Sequence, residues 1–393
     1  MSATPTQGTG AGRHAPTQPA RRPLLPHLQE LEAWRALAAI AVMLTHAGFL
    51  SGATGRDVLP GFLARMEMGV ALFFVLSGFL LYRPHAIAVT RGTAPPGLRR
   101  YAVRRAARIV PAWAAVLVGV LVLVPQSRTA PGAAWIANLL QLQALTTRWD
   151  LPGLAQLWSL STEVAFYVAL PLLAMGIRRL VGGRPPSQHV AALMGLLVMC
   201  WGFRLAVESD LLPAGFSWNR TLPATLDWFV FGMLLAVVLA DRDHWAGLIE
   251  IVRRSGNALL VIAAALFWML TTSIAGPYDL RPSTAWQSSM RHLGFGLVAA
   301  LLVYPSAAGA RTVLTTALRS PVLAYLGRIS YGFFLWHMPV MFWVRSIMGY
   351  ELFAGYFWMT VVLTTAVTVV LASVSWHLLE RPVLERARRH TDT

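Results

Sequence analysis

The sequence contains no lysine, because all 33 of its basic residues are arginine, and its one cysteine is Cys200. A single cysteine excludes a disulfide within the chain and any multi-cysteine metal site. The residues indicate no metal ion and no permanently bound cofactor. An alanine- and arginine-rich composition without lysine is typical of proteins from high-GC bacterial genomes.

Charge is also scarce, since 13% of the residues are charged and 56% are hydrophobic. Soluble domains carry about 25% charged residues, so this composition excludes an ordinary soluble domain and predicts a polytopic membrane protein. A net charge of +16 would otherwise favour nucleic-acid binding. The arginines, however, lie between apolar runs and form no soluble basic face, so we expect no nucleic-acid partner.

Ten apolar runs are long enough to cross a hydrocarbon core of about 30 Å. They are residues 31–50, 62–82, 106–125, 157–177, 189–207, 222–240, 257–275, 292–309, 321–344 and 353–379. The fold class predicted from them is all-α, with about ten transmembrane helices in one domain over residues 28–384. Residues 1–27, which lack the apolar core of a signal peptide, are expected to form a disordered cytoplasmic tail, and residues 385–393 a cytoplasmic C-terminal tail.

The arginines between the runs predict the orientation of the chain. Counted loop by loop, most of them fall on the side that also holds the N-terminus and the C-terminus. By the positive-inside rule that side is cytoplasmic. Both termini are therefore predicted to lie on the cytoplasmic side of a bacterial cytoplasmic membrane.

The first run contains Arg35 and His46. Eleven residues of helix return to nearly the same face and separate the two side chains by about 16 Å along the axis. Ionisable residues within a membrane span are costly and point to function. The alternatives without a catalytic role are that Arg35 extends its side chain to the membrane interface and that His46 is an interfacial residue.

Two further ionisable residues are expected at the depth of His46, towards the outer surface. Glu163 follows the outer end of the fourth run, and His337 lies high in the ninth. A carboxylate and two imidazoles at one depth are suited to proton transfer, although Glu163 and His337 could instead be structural.

The cytoplasmic side carries a dense block of arginines, namely Arg99, Arg100, Arg104, Arg105 and Arg108. One guanidinium group can donate two parallel hydrogen bonds to the oxygens of a phosphate, so the block is suited to binding a phosphorylated ligand. The alternative is a topology signal that contacts anionic lipid. Glu380 returns to the same surface, where it could simply pair with Arg381. Ser77, Ser330 and Tyr331 could form hydrogen bonds between helices or to the backbone.

Six blocks of the sequence, taken in order, resemble the acyltransferase-3 family of integral membrane O-acyltransferases, over nearly the whole chain after the tail. They are Arg35 with His46, FFVLSGFLLYRP from Phe73 to Pro84, RRAARIVP, LWSLSTEVAFY with Glu163, ISYGFFLWHMPV with His337, and SWHLLERP with Glu380.

The resemblance implies transfer of an acyl group, commonly acetyl, from acyl-coenzyme A to a hydroxyl of a glycan, a glycolipid or a sugar-bearing metabolite such as a macrolide. The donor would bind Arg35, Arg104, Arg105 and Arg108. His46 would act as general base or as transient acyl carrier, Glu163 would orient it, and Arg35 would position the donor or stabilise the oxyanion. The supporting residues are Ser77, Ser330, Tyr331, His337 and Glu380.

Two other function classes remain open at this point. A transporter or exporter of an acylated saccharide would also hold ionisable residues at mid-depth, but paired interrupted helices are not found. A purely structural membrane partner would not need them. In some members of the family a fused extracytoplasmic domain completes the transfer. No such domain is expected in this sequence, so the chain is expected either to transfer the acyl group directly to the acceptor or to use a separate extracytoplasmic transferase partner.

Overall fold

The computed structural model describes residues 28–56, 60–278 and 281–392, all of whose regular elements are helical. The predicted tail over residues 1–27 lies outside them. Ten helices in the described ranges have 15 residues or more. They are α1 (Leu28–Ser51), α2 (Gly69–Thr90), α3 (Leu98–Leu123), α4 (Trp158–Val181), α5 (Pro186–Glu208), α6 (Leu222–Ala240), α7 (Gly256–Leu270), α8 (Ala285–Ala308), α9 (Pro321–Met348) and α10 (Phe357–Ser375).

These ten helices correspond one to one with the ten predicted apolar runs, and the all-α class is confirmed. Seven helical stretches in the described chain are long and apolar enough to cross a membrane. An eighth crossing is formed if Ala246–Arg254 and α7, bent by 70°, count as one span. The chain is therefore an integral membrane protein. Ten crossings and two cytoplasmic termini stay predictions, since α8 and α9 are not among the seven.

Helices α2 and α6 cross in close contact at the centre of the fold because each has a glycine at the crossing. A Cβ on Gly78 would collide with the carbonyl oxygen of Phe229, and a Cβ on Gly232 with that of Val75. Small residues at such positions let helix backbones approach closely, which is how membrane helices gain packing contacts.

Helix α1 packs against α2, α9 and α10. Its ionisable residues therefore face protein on several sides. Arg35 and His46 lie on one continuous helix, as the sequence predicts, so their axial separation of about 16 Å follows from helical rise.

Two prolines inside helices each free a backbone carbonyl four residues earlier, and a side chain from another segment satisfies it. Pro171 in α4 frees the carbonyl of Tyr167, which accepts a hydrogen bond of 3.0 Å from the Tyr101 hydroxyl. Pro339 in α9 frees the carbonyl of Leu335, which accepts one of 3.2 Å from the Gln156 amide. These contacts keep both helices intact where the backbone ladder is interrupted.

The chain continues past α10 through a π-helical turn, Trp376–Glu380, into a further helix, α11 (Arg381–Asp392). Most of the segment expected as a C-terminal tail is thus helical, and it packs against α3. Arg104 of α3 donates to the Thr391 hydroxyl over 3.2 Å.

Candidate active site

His46 of α1 and His337 of α9 are directly hydrogen-bonded to each other. The Nδ1 atom of His46 lies 3.0 Å from the Nε2 atom of His337. The other ring nitrogen of His337, Nδ1, lies 2.6 Å from the carbonyl oxygen of Phe334. His337 is fully buried, and His46 is partly exposed.

This chain of hydrogen bonds determines where the protons lie on two neutral rings. A carbonyl oxygen can only accept, so Nδ1 of His337 carries the proton and its Nε2 is the acceptor. Nδ1 of His46 must then be the donor. The remaining nitrogen of His46, Nε2, has a lone pair and forms no hydrogen bond among the described residues. His46 is consequently a candidate proton acceptor whose tautomer is fixed by its neighbour.

His46 lines a cavity of about 460 Å³, called the His46 cavity below. Its wall is rich in polar groups that come from α1, α5, α8 and the connecting segments. They include Arg65, Glu67, Gln156, Arg204, Arg291 and His292. The volume is that of a typical small-molecule site.

Arg35 lines a second and much smaller cavity of about 30 Å³, called the Arg35 cavity below. Glu163 and Tyr331 line it too, together with apolar side chains. Two of these, Val70 and Phe334, also line the His46 cavity. Their side chains thus form a common wall between the two cavities, and the Phe334 ring packs edge-on against Phe73 with ring centres 5.9 Å apart.

Glu163 belongs to the Arg35 cavity, which differs from the expectation that it orients His46. One of its oxygens, Oε1, accepts hydrogen bonds from the hydroxyls of Ser77, at 2.6 Å, and Tyr167, at 2.7 Å. No hydrogen bond joins Glu163 to His46 in the described chain. His337 occupies the position next to His46 that the sequence analysis gives to the carboxylate, because α4 brings Glu163 against α2 and not against α1 at that level.

Arg108 is the most firmly held member of the arginine block. Its guanidinium forms an ion pair of 3.3 Å with Glu380 and lies over the rings of Tyr331 and Trp376, 5.4 and 5.5 Å from their centres. Glu380 is fully buried. The surface pair between Glu380 and Arg381, which the sequence left open as an alternative, is not formed, and Arg381 bonds to Glu385 instead at 2.8 Å.

Arg105 and Arg35 extend this basic cluster towards Glu163. Arg105 lies over the Tyr167 ring at 5.9 Å, and its Nε atom is buried without a partner. Arg35 has Arg105, Arg108 and Glu163 as electrostatic neighbours. The structure thus brings three of the four predicted donor-binding arginines together, whereas Arg104 bonds to α11.

The smaller polar residues form the helix contacts that the sequence allows as an alternative. The Ser330 hydroxyl donates to the carbonyl oxygen of Gly327 over 2.8 Å. The Tyr331 hydroxyl donates to that of Ile109 over 3.0 Å and so ties α9 to α3. Ser77, as described above, joins α2 to α4.

A second buried pair in the His46 cavity is not expected from the sequence. Both carboxylate oxygens of Asp227 lie 2.9 Å from Nε2 of His292, whose ring stacks on Trp228. Asp227 is acidic within the otherwise apolar run 222–240, which is the signal that could have found it. Arg204, within the fifth run, carries the same kind of signal.

Comparison with known proteins identifies a family but no similar solved structure. The family described as "Acyltransferase domain" of the acyltransferase-3 type matches residues 28–378. Peptidoglycan O-acetyltransferase OatA of Listeria monocytogenes is 26% identical over 376 residues, which cover 91% of this chain and 56% of that protein. O-acetyltransferase OatA of Staphylococcus aureus is 25% identical, with 92% and 58% covered.

Acyltransferase MdmB of Streptomyces mycarofaciens is 25% identical over 396 residues, which are 93% of each chain. The chain spans little more than half the length of the two OatA proteins but nearly all of MdmB. No solved structure matches it.

Proposed function

Because the match over residues 28–378 shows that the chain belongs to the acyltransferase-3 family, we propose that it is a membrane O-acyltransferase. It transfers an acyl group, acetyl in the simplest case, from acyl-coenzyme A to an acceptor hydroxyl. The observation that carries the proposal is the His46–His337 pair, which leaves an unprotonated imidazole nitrogen facing a cavity of substrate size.

In the proposed reaction, the unprotonated nitrogen of His46 acts as the general base. Nε2 of His46 accepts the proton of the acceptor hydroxyl while the hydroxyl oxygen attacks the thioester carbonyl. The resulting tetrahedral centre breaks its carbon–sulfur bond, and the coenzyme A sulfur leaves with the proton that His46 has taken. His337 keeps Nδ1 of His46 hydrogen-bonded throughout and so stabilises the imidazolium that forms.

The basic cluster supports binding of the donor. Arg105 and Arg108 lie at the end of the bundle where the phosphates of coenzyme A would bind, and guanidinium groups are well suited to such contacts. Arg35 faces the small cavity on the way to His46, where it would position the thioester or stabilise its oxyanion. The wall formed by Phe334 and Val70 must move for the thioester to reach His46.

The His46 cavity supports binding of the acceptor. The names of two relatives contain peptidoglycan or O-acetyl transfer, and a relative of the same length is named only as an acyltransferase. The proposed acceptor is accordingly a glycan, a glycolipid or a sugar-bearing metabolite. Nothing observed favours the transporter that the sequence alone left open.

The first test is His46→Ala in the purified protein supplied with acetyl-coenzyme A and a panel of glycosides. The release of coenzyme A thiol should fall about 100- to 10,000-fold, the usual contribution of a general base. His244→Ala is the matched control, because His244 is exposed on a short connection outside both cavities.

Unchanged turnover in folded His46→Ala protein would refute the assignment. The acyl-carrier alternative is tested with labelled acetyl-coenzyme A and no acceptor. Label that binds covalently to the protein and is absent from His46→Ala would show that the acyl group passes through His46, whereas an unlabelled protein with full transfer supports the general base.

A further inference from the structure

The charged residues that line the His46 cavity are mainly of one sign. The arginines are Arg65, Arg204, Arg281 and Arg291, and Glu67 is the one carboxylate among the lining residues that the structure describes. Asp227 lies behind the wall, where His292 binds both of its oxygens. Among the described lining residues, arginine side chains therefore outnumber carboxylates.

Arg65 is a buried cation held by neutral groups. It is 3% exposed, and its Nε and Nη2 atoms donate only to backbone carbonyls, those of Leu270, Ala275, Gly276 and Pro277. It forms no ion pair within the described chain, and its Nη1 atom donates to no described residue. These carbonyls orient the guanidinium but leave its charge in place.

Arg204 on α5 is also nearly buried, with 6% of its surface exposed. Its Nη2 atom pairs with Glu208 at 2.5 Å and with the Ser288 hydroxyl at 3.0 Å. Its Nε atom is buried without a hydrogen-bond partner. A buried guanidinium N–H that lacks an acceptor is costly, so Arg204 has hydrogen-bonding capacity that the described residues do not use.

Arg291 on α8 is the third arginine of the group and is an electrostatic neighbour of both Arg65 and Arg204. Its own carboxylate contact is long, 3.6 Å from Nε to Glu67, and its Nη1 atom is held by the Ala275 carbonyl and the Ser283 hydroxyl, both at 3.0 Å. Three guanidinium groups from three segments thus converge on one cavity.

We propose that this arginine cluster binds an oxyanion, a carboxylate or a phosphate, that the acceptor carries next to its reacting hydroxyl. Guanidinium groups held together in a partly desolvated cavity repel one another. An anion bound between them would offset this repulsion and accept hydrogen bonds from the N–H groups that have no other acceptor. The proposal rests on the proposed function, because it assigns the acceptor to the His46 cavity. It narrows the acceptor class to anionic hydroxyl compounds.

The test is binding, measured apart from turnover. Methyl glucuronide, methyl glucoside and glucose 6-phosphate are compared as probes by thermal stabilisation and by equilibrium binding to the full chain in detergent. A carboxylate or phosphate should bind at least tenfold more tightly than the neutral glucoside, since a hydrogen bond to a charged group contributes at least that much. The two anions distinguish a carboxylate site from a phosphate site.

Arg291→Gln and the double variant Arg204→Gln/Glu208→Gln should each reduce the preference for the anion about tenfold and leave binding of the glucoside unchanged. The double variant removes Arg204 without stranding the Glu208 carboxylate. Arg148→Gln is the matched control, because Arg148 is exposed and outside the cavity. Equal binding of charged and neutral probes, or a preference that survives both variants, would overturn the proposal.

The two proposals fail separately. His46→Ala protein that keeps its anion preference but transfers no acetyl group supports both. Anion preference together with full turnover by His46→Ala protein would refute the chemistry and leave the anion site standing. Transfer that depends on His46 but ignores acceptor charge would refute the anion site alone.

Discussion

At the scale of single residues, the decisive contact is the one between two histidines that are far apart in the sequence. Their common depth could be predicted, because α1 and α9 are continuous helices whose rise per residue is known. Their contact could not, since depth does not say which helices are neighbours. Glu163, expected at the depth of His46, instead lines the cavity of Arg35, and its partners Ser77 and Tyr167 depend on how α4 packs.

His337→Ala tests whether this contact fixes the tautomer of His46. Without the Nε2 acceptor of His337, Nδ1 of His46 loses its side-chain partner, and more of the tautomer that protonates Nε2 would be populated, so the rate constant for transfer should fall. We expect a loss of about 10- to 100-fold, comparable to removal of a residue that orients a metal-bound histidine. The KM for acetyl-coenzyme A should stay nearly unchanged, because the proposed donor site is at the other cavity.

His337→Asn is the companion variant, since an amide oxygen can still accept a hydrogen bond from His46. It should retain more activity than His337→Ala. Equal activity of the two variants, or a change confined to KM, would contradict the positioning role.

At the scale of elements, hydrophobic runs located the ten long helices, while their irregularities depended on tertiary partners. The π-helical turn at Trp376–Glu380 is the clearest case. A π-helical turn inserts an extra residue into the helix and shifts its faces, so α-helical spacing could not place Glu380 against Arg108. The sequence showed Pro171 and Pro339 but not the Tyr101 and Gln156 side chains that satisfy their freed carbonyls.

The crossing of α2 and α6 provides a stability prediction. Gly78→Ala or Gly232→Ala inserts a methyl group into a backbone contact, which should destabilise the fold by about 1–3 kcal/mol. The measurement is the midpoint of unfolding of the detergent-purified protein. Gly195→Ala on α5 is the matched control, because nothing lies within 4 Å of the added methyl group. A midpoint that shifts no more than in this control would contradict the steric cost expected at the crossing.

At the scale of the whole molecule, two cavities approach each other from different parts of the bundle and share a wall of two side chains. Composition and hydropathy identified a membrane protein and motif order identified the family. The cavities themselves depend on which side chains the packed helices leave apart, so no sequence pattern indicated them.

Phe334→Ala should open this wall. Water from the His46 cavity would then reach a thioester bound on the Arg35 side, and hydrolysis of acetyl-coenzyme A in the absence of acceptor should increase several-fold. Phe342→Ala, on the same helix but lining neither cavity, is the control. Hydrolysis that stays at the level of Phe342→Ala would mean that other groups separate the two sites.

The thin wall also determines where membrane voltage acts. In the proposed reaction, with the donor entering from the cytoplasmic side and the acceptor from the outer side, much of the electric field would fall across Phe334 and Val70 instead of across about 30 Å of hydrocarbon. An acetyl thioester is uncharged and would pass this layer without electrical work. The coenzyme A phosphates would each require about 2.3 kcal/mol per elementary charge per 100 mV to cross it, and in the proposed reaction they would stay with the arginines of α3. The proposed transfer of an acyl group across the wall would then be independent of the membrane potential.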